Sequence, residues 1–372
     1  NTLRHLCQGL RERGHRLEII RPRQRLESVM HTQALGPEHT LVPGLPIPGY
    51  PDLRFGLPAR TRLLRRWKRV RPDAVYVATE GPLGWSAVSA ARALEIPVCS
   101  GFHTNFQSYS RYYGAGFLEK LITLYLRAFH NRTQTTLVPT RRMQSLLDRY
   151  GIERVRVWSR GVDCHRFTPA RRDLALRKQW GLRPEDRAVL YVGRLAPEKN
   201  LSLAVSCFER VRQCHPKARF VLVGDGPMRK KLEARHPDYI FCGMQQGDDL
   251  ARHYASGDLF LFPSKTDTFG NVVTEAMASG LAIVAFDDAA ASEHIQHATN
   301  GMKVDLQADD QFILAALQLL DQPSLMRRVR DGARQDALEL AWPSLIEQFE
   351  TLLLTPGKET RAHAIKQGIS LL

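Results

Sequence analysis

The sequence predicts an α/β protein built from two parallel-sheet domains in tandem, and three observations lead to that prediction. The chain has 372 residues, which is long for one domain and suits two of roughly 150 residues each. Short apolar runs typical of buried strands alternate with helical patterns. The alternation restarts after a loop rich in Arg, Pro and Gly at 161–173, the expected linker. We therefore predict two Rossmann-like domains facing a central cleft, at 1–165 and 175–340, with a C-terminal helix and tail at 341–372.

The first domain opens on a helix. Apolar residues with helical spacing fill Asn1–Gly14, and Arg16–Arg21 is typical of a short strand. In an α/β domain a strand normally comes before the first helix. We therefore expect a first strand and its glycine-rich turn to belong before Asn1.

Strand and helix patterns then alternate to the end of this domain. Pro43–Pro58 is rich in Pro and Gly and predicts a loop, and Thr140 is placed to cap a helix. The predicted elements are helix Arg60–Val70, strand Ala74–Ala78, helix Trp85–Leu94, strand Pro97–Gly101, helix Glu119–Phe129, strand Thr135–Val138 and helix Arg141–Tyr150.

The second domain repeats this alternation. Its predicted elements are strand Ala188–Val192, helix Leu201–Cys214, strand Arg219–Val223, helix Met228–Ala234, strand Tyr239–Cys242, helix Asp248–Ala255, strand Leu259–Phe262, helix Val272–Ser279 and strand Ala282–Phe286, then helical segments to about Leu354. In parallel sheets ligands bind beyond the carboxyl ends of the strands. The loops that follow strands are therefore where functional residues are expected.

Positive charge is concentrated in the first half of the chain. Residues 1–172 contain 29 Lys and Arg against 12 Asp and Glu, whereas residues 173–372 contain 24 against 26. This asymmetry predicts an anionic partner, which could be a membrane surface, a nucleic acid or an acidic acceptor. Helix 60–70 is the expected membrane contact. Its Leu63, Leu64 and Trp67 side can pack on the sheet or enter the lipid interface, with five cations around the rest.

Composition excludes several classes of protein. With 43% hydrophobic and 24% charged residues, the chain is neither fibrous nor disordered. No uncharged apolar run approaches the ~20 residues that a membrane-spanning helix needs. Six scattered cysteines without zinc-type spacing predict neither a disulfide framework nor a metal site, and they suit a reducing cytoplasm.

Two loops of the second domain carry candidate binding residues. Gly193–Asn200 follows a strand and precedes a helix, so Arg194 and Lys199 could clamp a phosphate or diphosphate at the helix start. In the second loop, Asp267 and Glu275 stand eight positions apart around a helix start. These carboxylates could accept hydrogen bonds from sugar hydroxyls.

Two further segments give weaker signals. Gly224-Asp225-Gly226-Pro227 lacks the third glycine of the dinucleotide fingerprint and is equally typical of a tight strand-to-helix turn. His103 follows a strand of the first domain, which would bring an imidazole to the cleft from that side. Alone, such a histidine is more often structural than catalytic.

Taken together, Gly193–Asn200, the VGDGP turn and above all Pro263–Gly280 resemble the retaining glycosyltransferases of family 4, which have the GT-B fold. The resemblance covers nearly the whole chain, up to a final helix within 341–372 that in the family crosses back onto the first domain. It implies that Arg194 and Lys199 hold the donor diphosphate and that Glu275 accepts from the nucleotide ribose. The further roles it implies fall on Asp267 with the backbone of Phe269, Gly270 and Asn271 for the donor sugar, Gly224 and Gly226 for the donor-binding turn, and His103 beside the reacting phosphate and acceptor.

The resemblance also implies an activity. The expected reaction moves a hexose from GDP-mannose or a UDP-sugar to a lipid, lipid-linked or glycan acceptor, at the inner face of the cytoplasmic membrane. The chain has no DxD triplet, which is consistent with a metal-independent enzyme whose cations stabilise the leaving group, and no cofactor is expected beyond the donor. The family usually has Glu where this chain has Asp267, which leaves the identity of the donor sugar open.

Three other functions are weighed against this one. A dehydrogenase would need GxGxxG followed by an acidic residue about 20 positions later, and no loop supplies it. A nucleic-acid-binding protein would suit the basic half, but aromatic residues are not interleaved with the cations at stacking spacing. A sugar-nucleotide epimerase with the GT-B fold stays open, and detecting sugar transfer would separate the two.

Overall fold

The structure, a computed structural model, describes residues 2–24, 38–47, 50–102, 116–265, 267, 269–354 and 368–371. The chain divides into two compact units. The N-terminal unit comprises Asn1–Ser159 and Pro343–Leu372, and the C-terminal unit comprises Arg160–Trp342. Each unit is built around a parallel sheet with helices against it, so the predicted α/β class with two Rossmann-like domains is confirmed.

The N-terminal unit contains most of the predicted strands and helices and several strands that the sequence did not predict. In chain order they are α1 Thr2–Glu12, β1 Arg16–Pro22, β2 His39–Val42, β3 Gly44–Ile47, β4 Tyr50–Gly56, α2 Arg60–Arg69, β5 Ala74–Val77, α3 Pro82–Ala93, β6 Val98–Gly101, α4 Gly116–His130, β7 Thr135–Val138, α5 Arg141–Arg149 and β8 Val155–Val157. The predicted cap is confirmed, because the Thr140 side chain accepts a hydrogen bond from the Met143 amide at 3.2 Å.

The sheet of this unit has the order β2-β1-β15-β5-β6-β7-β8, with all neighbours parallel. Strand β15, Gly368–Leu371, comes from the C-terminal tail and pairs with β1 on one side and β5 on the other. Among the described residues the unit opens on helix α1. The place between β1 and β5 is occupied by a strand that the sequence did not predict.

The predicted loop at Pro43–Pro58 is wrong. Strands β3 and β4 form an antiparallel two-stranded ribbon in which Gly44 pairs with Gly56 and Pro46 with Arg54. A two-stranded ribbon has only edge strands, where a proline without an N–H is tolerated. The high Pro and Gly content therefore did not exclude strands here.

Helix α2 packs its apolar side on the sheet. Leu63 and Trp67 are each 1% exposed and lie in one apolar cluster with Val75 and Val77 of β5. Of the two alternatives for this helix, packing is the one observed, and entry of these side chains into a lipid interface is wrong.

The C-terminal helix α14, Trp342–Leu354, contributes its buried face to the N-terminal unit. The Trp158 indole donates a hydrogen bond to the Leu345 carbonyl at 2.8 Å. The Phe349 ring is fully buried, with its centroid 5.0 Å from that of Tyr76 and 5.0 Å from that of Trp158. A segment distant in sequence thus completes the core of this unit.

The C-terminal unit contains short 3₁₀ turns at Pro169–Arg171 and Pro197–Lys199 and the following helices and strands: α6 Leu174–Gln179, β9 Ala188–Val192, α7 Leu201–Cys214, β10 Arg219–Val223, α8 Arg229–Arg235, β11 Ile240–Gly243, α9 Gly247–Ser256, β12 Leu259–Phe262, α10 Asn271–Ala278, β13 Ala282–Phe286, α11 Ala289–His294, β14 Met302–Val304, α12 Asp309–Asp321 and α13 Pro323–Glu339. The segment 161–173, the expected linker, belongs to this unit and buries Val162 and Phe167 in its core. Nowhere in the described part of the chain is a helix long and apolar enough to cross a membrane.

The sheet of the C-terminal unit has the order β11-β10-β9-β12-β13-β14, all parallel. Counted from β9, this is the 3-2-1-4-5-6 order of dinucleotide-binding sheets. The chain reverses direction across the sheet between β9 and β12, and ligands of such sheets bind at that switch point. The loops after these two strands are the two candidate loops of the sequence.

Candidate functional site

The two candidate loops lie next to each other at the switch point of the C-terminal sheet. The Lys199 ammonium is 2.7 Å from an Asp267 carboxylate oxygen, and the Asn200 side-chain amide donates to the Pro263 carbonyl at 3.2 Å. The pairing of β9 with β12 causes this arrangement. Positions almost 70 residues apart in sequence therefore form one site.

The loop after β9 is held by short-range hydrogen bonds. The Tyr191 hydroxyl donates to the Arg194 carbonyl at 3.0 Å, and Asn200 adopts a left-handed conformation immediately before α7. The Arg194 side chain is 68% exposed and 3.8 Å from Glu198, whereas that of Lys199 is 22% exposed. One cation thus points to solvent and the other is partly enclosed, both near a helix start that attracts anions.

The turn that contains Gly224 and Gly226 packs against the backbone of the loop after β9. A Cβ at Gly224 would lie 2.0 Å from the Gly193 carbonyl oxygen, and one at Gly226 would lie 2.5 Å from that of Leu195. Both glycines also have positive φ angles, 138° and 158°. The described contacts are with the loop backbone, and a direct role in donor binding stays a prediction.

Asp267 has an unused acceptor. Its Oδ1 pairs with Lys199, while its Oδ2 is buried with no hydrogen-bond partner among the described residues. Buried polar atoms are nearly always hydrogen-bonded in folded proteins. This oxygen is therefore suited to accept a hydrogen bond from a ligand.

Phe269, Gly270 and Asn271 lead into helix α10. The Phe269 ring is buried, and the Arg160 guanidinium carbon lies 5.2 Å from its centroid, within cation–π range. Gly270 precedes the helix with φ of 82°, and the exposed Asn271 is its first residue. The first-turn amides of such a helix lack partners within the helix and attract anionic or hydroxyl oxygens.

Glu275 lies one turn into α10 and is largely buried. Burial raises its pKa to about 7, and a hydrogen bond donated by the Tyr254 hydroxyl to Oε2 at 3.0 Å opposes the rise. Tyr254 is itself fully buried, which raises the pKa of its phenol. Among the described residues a single donor therefore orients the carboxyl group, which changes charge near neutral pH.

Sequence reasoning missed Arg160, Tyr254 and His294. Burial lowers the pKa of the Arg160 guanidinium, and it lowers that of His294, whose ring centroid is 6.0 Å from that of Phe269, to about 4. These residues come from the start of the unit and from helices α9 and α11.

The sequence-predicted residues fall into three groups. Lys199 and Asp267 are in direct contact, and Arg194 lies in the same loop as Lys199. Glu275 follows on α10 and contacts Tyr254. His103 lies outside the described residues.

Comparison with known proteins finds glycosyltransferases among both the family models and the relatives. Residues 1–166 match the family model described as Glycosyltransferase Family 4, and residues 186–322 match Glycosyl transferases group 1. A GDP-mannose-dependent alpha-mannosyltransferase of Mycolicibacterium smegmatis is 32% identical over 95% of this chain and 93% of its own length. An alpha-monoglucosyldiacylglycerol synthase of Streptococcus pneumoniae is 26% identical over 66% of this chain and 58% of its own length.

A solved structure shows the fold. The crystal structure of Anabaena HepE in complex with UDP superposes with a TM-score of 0.69 at 18% identity, covering 94% of this chain and 95% of that one. The tandem Rossmann-like arrangement of the present chain is thus the GT-B fold.

Proposed function

The chain belongs to glycosyltransferase family 4, and from that premise we propose that it transfers mannose from GDP-mannose to a lipid or lipid-linked acceptor, with retention of the anomeric configuration. The observation that carries the proposal is the contact between the loop of Lys199 and the loop of Asp267 at the sheet's switch point. It joins a cationic and an acidic group where such a sheet binds nucleotides.

Lys199 and Arg194 are proposed to bind the donor diphosphate. An ammonium has three N–H donors, so Lys199 can keep one bond to Asp267 while the others reach phosphate oxygens. The exposed Arg194 side chain can add a two-pronged contact to a second phosphate oxygen. Both cations would stabilise the negative charge that grows as the diphosphate leaves.

The two carboxylates are proposed to orient the donor. The unpartnered Asp267 Oδ2 accepts from a sugar hydroxyl, and Glu275 in its ionised form accepts from the nucleotide ribose. Arg160 over Phe269 adds positive charge beside the same loop. His103, by its resemblance to the family pattern, would stand beside the reacting phosphate and the acceptor.

The proposed reaction needs no nucleophile from the protein. The bond between sugar C1 and the diphosphate oxygen breaks, and the acceptor oxygen bonds to C1 on the same face. The acceptor proton passes to the departing diphosphate, whose charge the cations hold. We propose that no metal and no further cofactor take part.

A lipid acceptor is supported by the relative named as an alpha-monoglucosyldiacylglycerol synthase and by the excess of basic residues in the first half of the chain. A basic surface would suit a place at the inner face of the cytoplasmic membrane, with no nucleic-acid partner. The basic side of α2 is the alternative contact, through charge alone, since its apolar side is packed.

The test incubates the full chain with radiolabelled GDP-mannose, UDP-glucose or UDP-galactose and vesicles containing diacylglycerol and phosphatidylinositol. We expect label from GDP-mannose in the lipid phase. A donor at 100 times its dissociation constant should also stabilise the fold by about 2.7 kcal/mol in thermal-shift experiments. Transfer only from a UDP-sugar would contradict the donor assignment. An epimerised nucleotide sugar without any transfer would favour the epimerase.

A further inference from the structure

We propose that the N-terminal unit docks on anionic phospholipid through an arginine-lined cavity and the adjoining face of helix α4. This inference deepens the proposed function by placing its membrane partner on named residues. It rests on the proposed function only for the lipid nature of the acceptor.

The cavity has a volume of about 740 Å³ and lies where strands β6, β7 and β8 begin. Substrates of parallel sheets bind at the opposite, carboxyl edge, so this cavity is separate from the expected catalytic edge of the unit. Its charged lining residues are Arg92, Glu95, Arg132, Arg154 and Arg156. The lining therefore contains four arginines and one glutamate.

The backbone around the cavity holds these arginines in place. The Arg154 guanidinium donates to the Asn131 carbonyl at 2.8 Å and to Glu153 at 3.0 Å, and Arg92 donates to the Arg132 carbonyl at 3.4 Å. Each guanidinium has five N–H donors, so these bonds leave donors for a ligand. Planar guanidinium groups match phosphate oxygens well.

Helix α4 presents an apolar face beside this cavity. Leu121, Leu124 and Tyr125 are 48%, 54% and 42% exposed. Their spacing of three and four residues places them on one side of the helix. Lys120 and Arg127 are also exposed on α4. Exposed leucines flanked by cations are typical of helices that lie in a membrane interface.

Aromatic stacking joins the helix face to the cavity. The Tyr125 and Trp85 rings stack at 5.5 Å, and the Arg132 guanidinium carbon lies 4.8 Å from the centroid of the Trp85 ring. Arg132 also lines the cavity. The two features therefore form one continuous docking surface, which consists of the cavity arginines with Trp85, Leu121, Leu124 and Tyr125.

The chemistry of this docking surface favours phospholipid over other anions. A phosphate headgroup satisfies the arginines, and the acyl boundary covers the leucines. A nucleic acid or a soluble phosphate would leave Leu121 and Leu124 in water. Each cation near an anionic leaflet strengthens binding about fivefold, so the four cavity arginines are enough for reversible binding.

Helix α4 also connects the two edges of the sheet. It runs between the carboxyl end of β6 and the amino end of β7. A membrane surface along α4 would therefore extend from the cavity towards the edge at which a lipid acceptor is expected.

The experiment measures cosedimentation of the full chain with vesicles of phosphatidylcholine alone and of its equal mixture with phosphatidylglycerol. Three variants are compared: Arg92→Glu with Arg156→Glu, Leu121→Ser with Leu124→Ser, and, as a charge-matched control on α2, Arg62→Glu with Arg69→Glu. We expect binding to the anionic vesicles only. The cavity variant should bind at least about tenfold more weakly, the leucine variant should also lose binding, and the control should change about twofold or less.

Several results would overturn the docking surface. Equal loss in the cavity variant and the α2 control would show that only diffuse charge matters. Unchanged vesicle binding of the leucine variant would show that α4 is not part of the docking surface. Displacement of the protein from vesicles by soluble glycerol phosphate would show that the cavity is an ordinary phosphate site. Each variant is first checked for an unchanged melting temperature and for retained stabilisation by GDP-mannose. Unchanged vesicle binding of the cavity and leucine variants, with intact donor binding, then contradicts docking while leaving the proposed function standing.

Discussion

At the residue scale, the ion pair of Lys199 with Asp267 places the proposed diphosphate cation. Replacing Lys199 by Ala should lower kcat by about 10²–10³, or 2–4 kcal/mol, because a cation that stabilises the leaving group acts mainly in the transition state. Lys303→Ala is the matched control, since Lys303 is similarly exposed and also pairs with a carboxylate, Asp287. Steady-state transfer assays measure both. Equal rates for the two variants would contradict the diphosphate role.

Glu275 predicts a specific pH dependence of stability. Its pKa is about 7 in the folded protein, against about 4.3 in an unfolded chain. Between these values the folded state keeps a proton that the unfolded state has lost, so the free energy of unfolding falls as pH rises from 4.3 to 7 and then levels off. The total loss is about 4 kcal/mol.

Glu275→Gln removes this titration. The difference in unfolding free energy between variant and wild type, from urea titrations at pH 5 and pH 8, should therefore grow by about 3 kcal/mol in favour of the variant. Parallel profiles would show that the carboxyl group titrates normally. A second variant, Tyr254→Phe, removes the only described donor to Glu275 and should raise the pKa of that carboxyl group further. The fall in its unfolding free energy should therefore continue to a higher pH than in the wild type.

The sequence could identify Lys199, Asp267 and Glu275 because each lies within a strand-loop-helix pattern with few other polar candidates. It could not identify Tyr254 or Arg160. These two reach the site through tertiary packing, from a helix and a loop that carry no pattern of their own. Local patterns thus found the residues of the two loops but not the residues that pack against them.

At the element scale, the Gly224 turn fixes the position of the Lys199 loop. Gly224→Ala should cost more stability than Gly181→Ala. Both glycines have positive φ, but a Cβ at Gly181 meets nothing within 4 Å, whereas one at Gly224 would lie 2.0 Å from the Gly193 carbonyl oxygen. The control should lose about 1 kcal/mol, and Gly224→Ala a further 1–3 kcal/mol through overpacking.

Gly224→Ala should also lower kcat by about a hundredfold, because a shift of the loop by about 1 Å misplaces its cations. Urea unfolding and transfer assays measure the two effects. Identical stability and rate in the Gly224 and Gly181 variants would mean that the turn does not support the loop.

Strands were predicted correctly where every residue of the strand is buried. Strands β9, β12 and β13 are apolar throughout and have the predicted bounds. The ribbon β3–β4 was missed because partly exposed edge strands rich in Pro and Gly share their composition with loops. For α2 the amphipathic pattern was read correctly as a helix, but a pattern alone cannot distinguish a face that packs on a sheet from one that enters a membrane.

At the scale of the whole molecule, the alternation of strands and helices was sufficient to predict two parallel sheets but not their strand order. The position of β15 between β1 and β5 depends on pairing between segments 352 and 295 residues apart, which no local pattern encodes. The return of α14 to the N-terminal unit is likewise a long-range contact, and its expectation came from the resemblance to the family.

Phe349 of α14 provides a test of this division into units. Its buried ring packs against Tyr76 and Trp158, both in the N-terminal unit, so Phe349→Ala should cost that unit about 3–5 kcal/mol. The described residues of the proposed donor site all lie within Arg160–Trp342, so the dissociation constant for GDP-mannose should not change while the variant is folded. Gln348→Ala, an exposed neighbour on the same helix, is the control. Urea unfolding followed by tryptophan fluorescence measures the first effect and calorimetry the second. Weaker donor binding at a temperature where Phe349→Ala is fully folded would mean that the N-terminal core also shapes the donor site, whereas unchanged stability would mean that α14 is not part of that core.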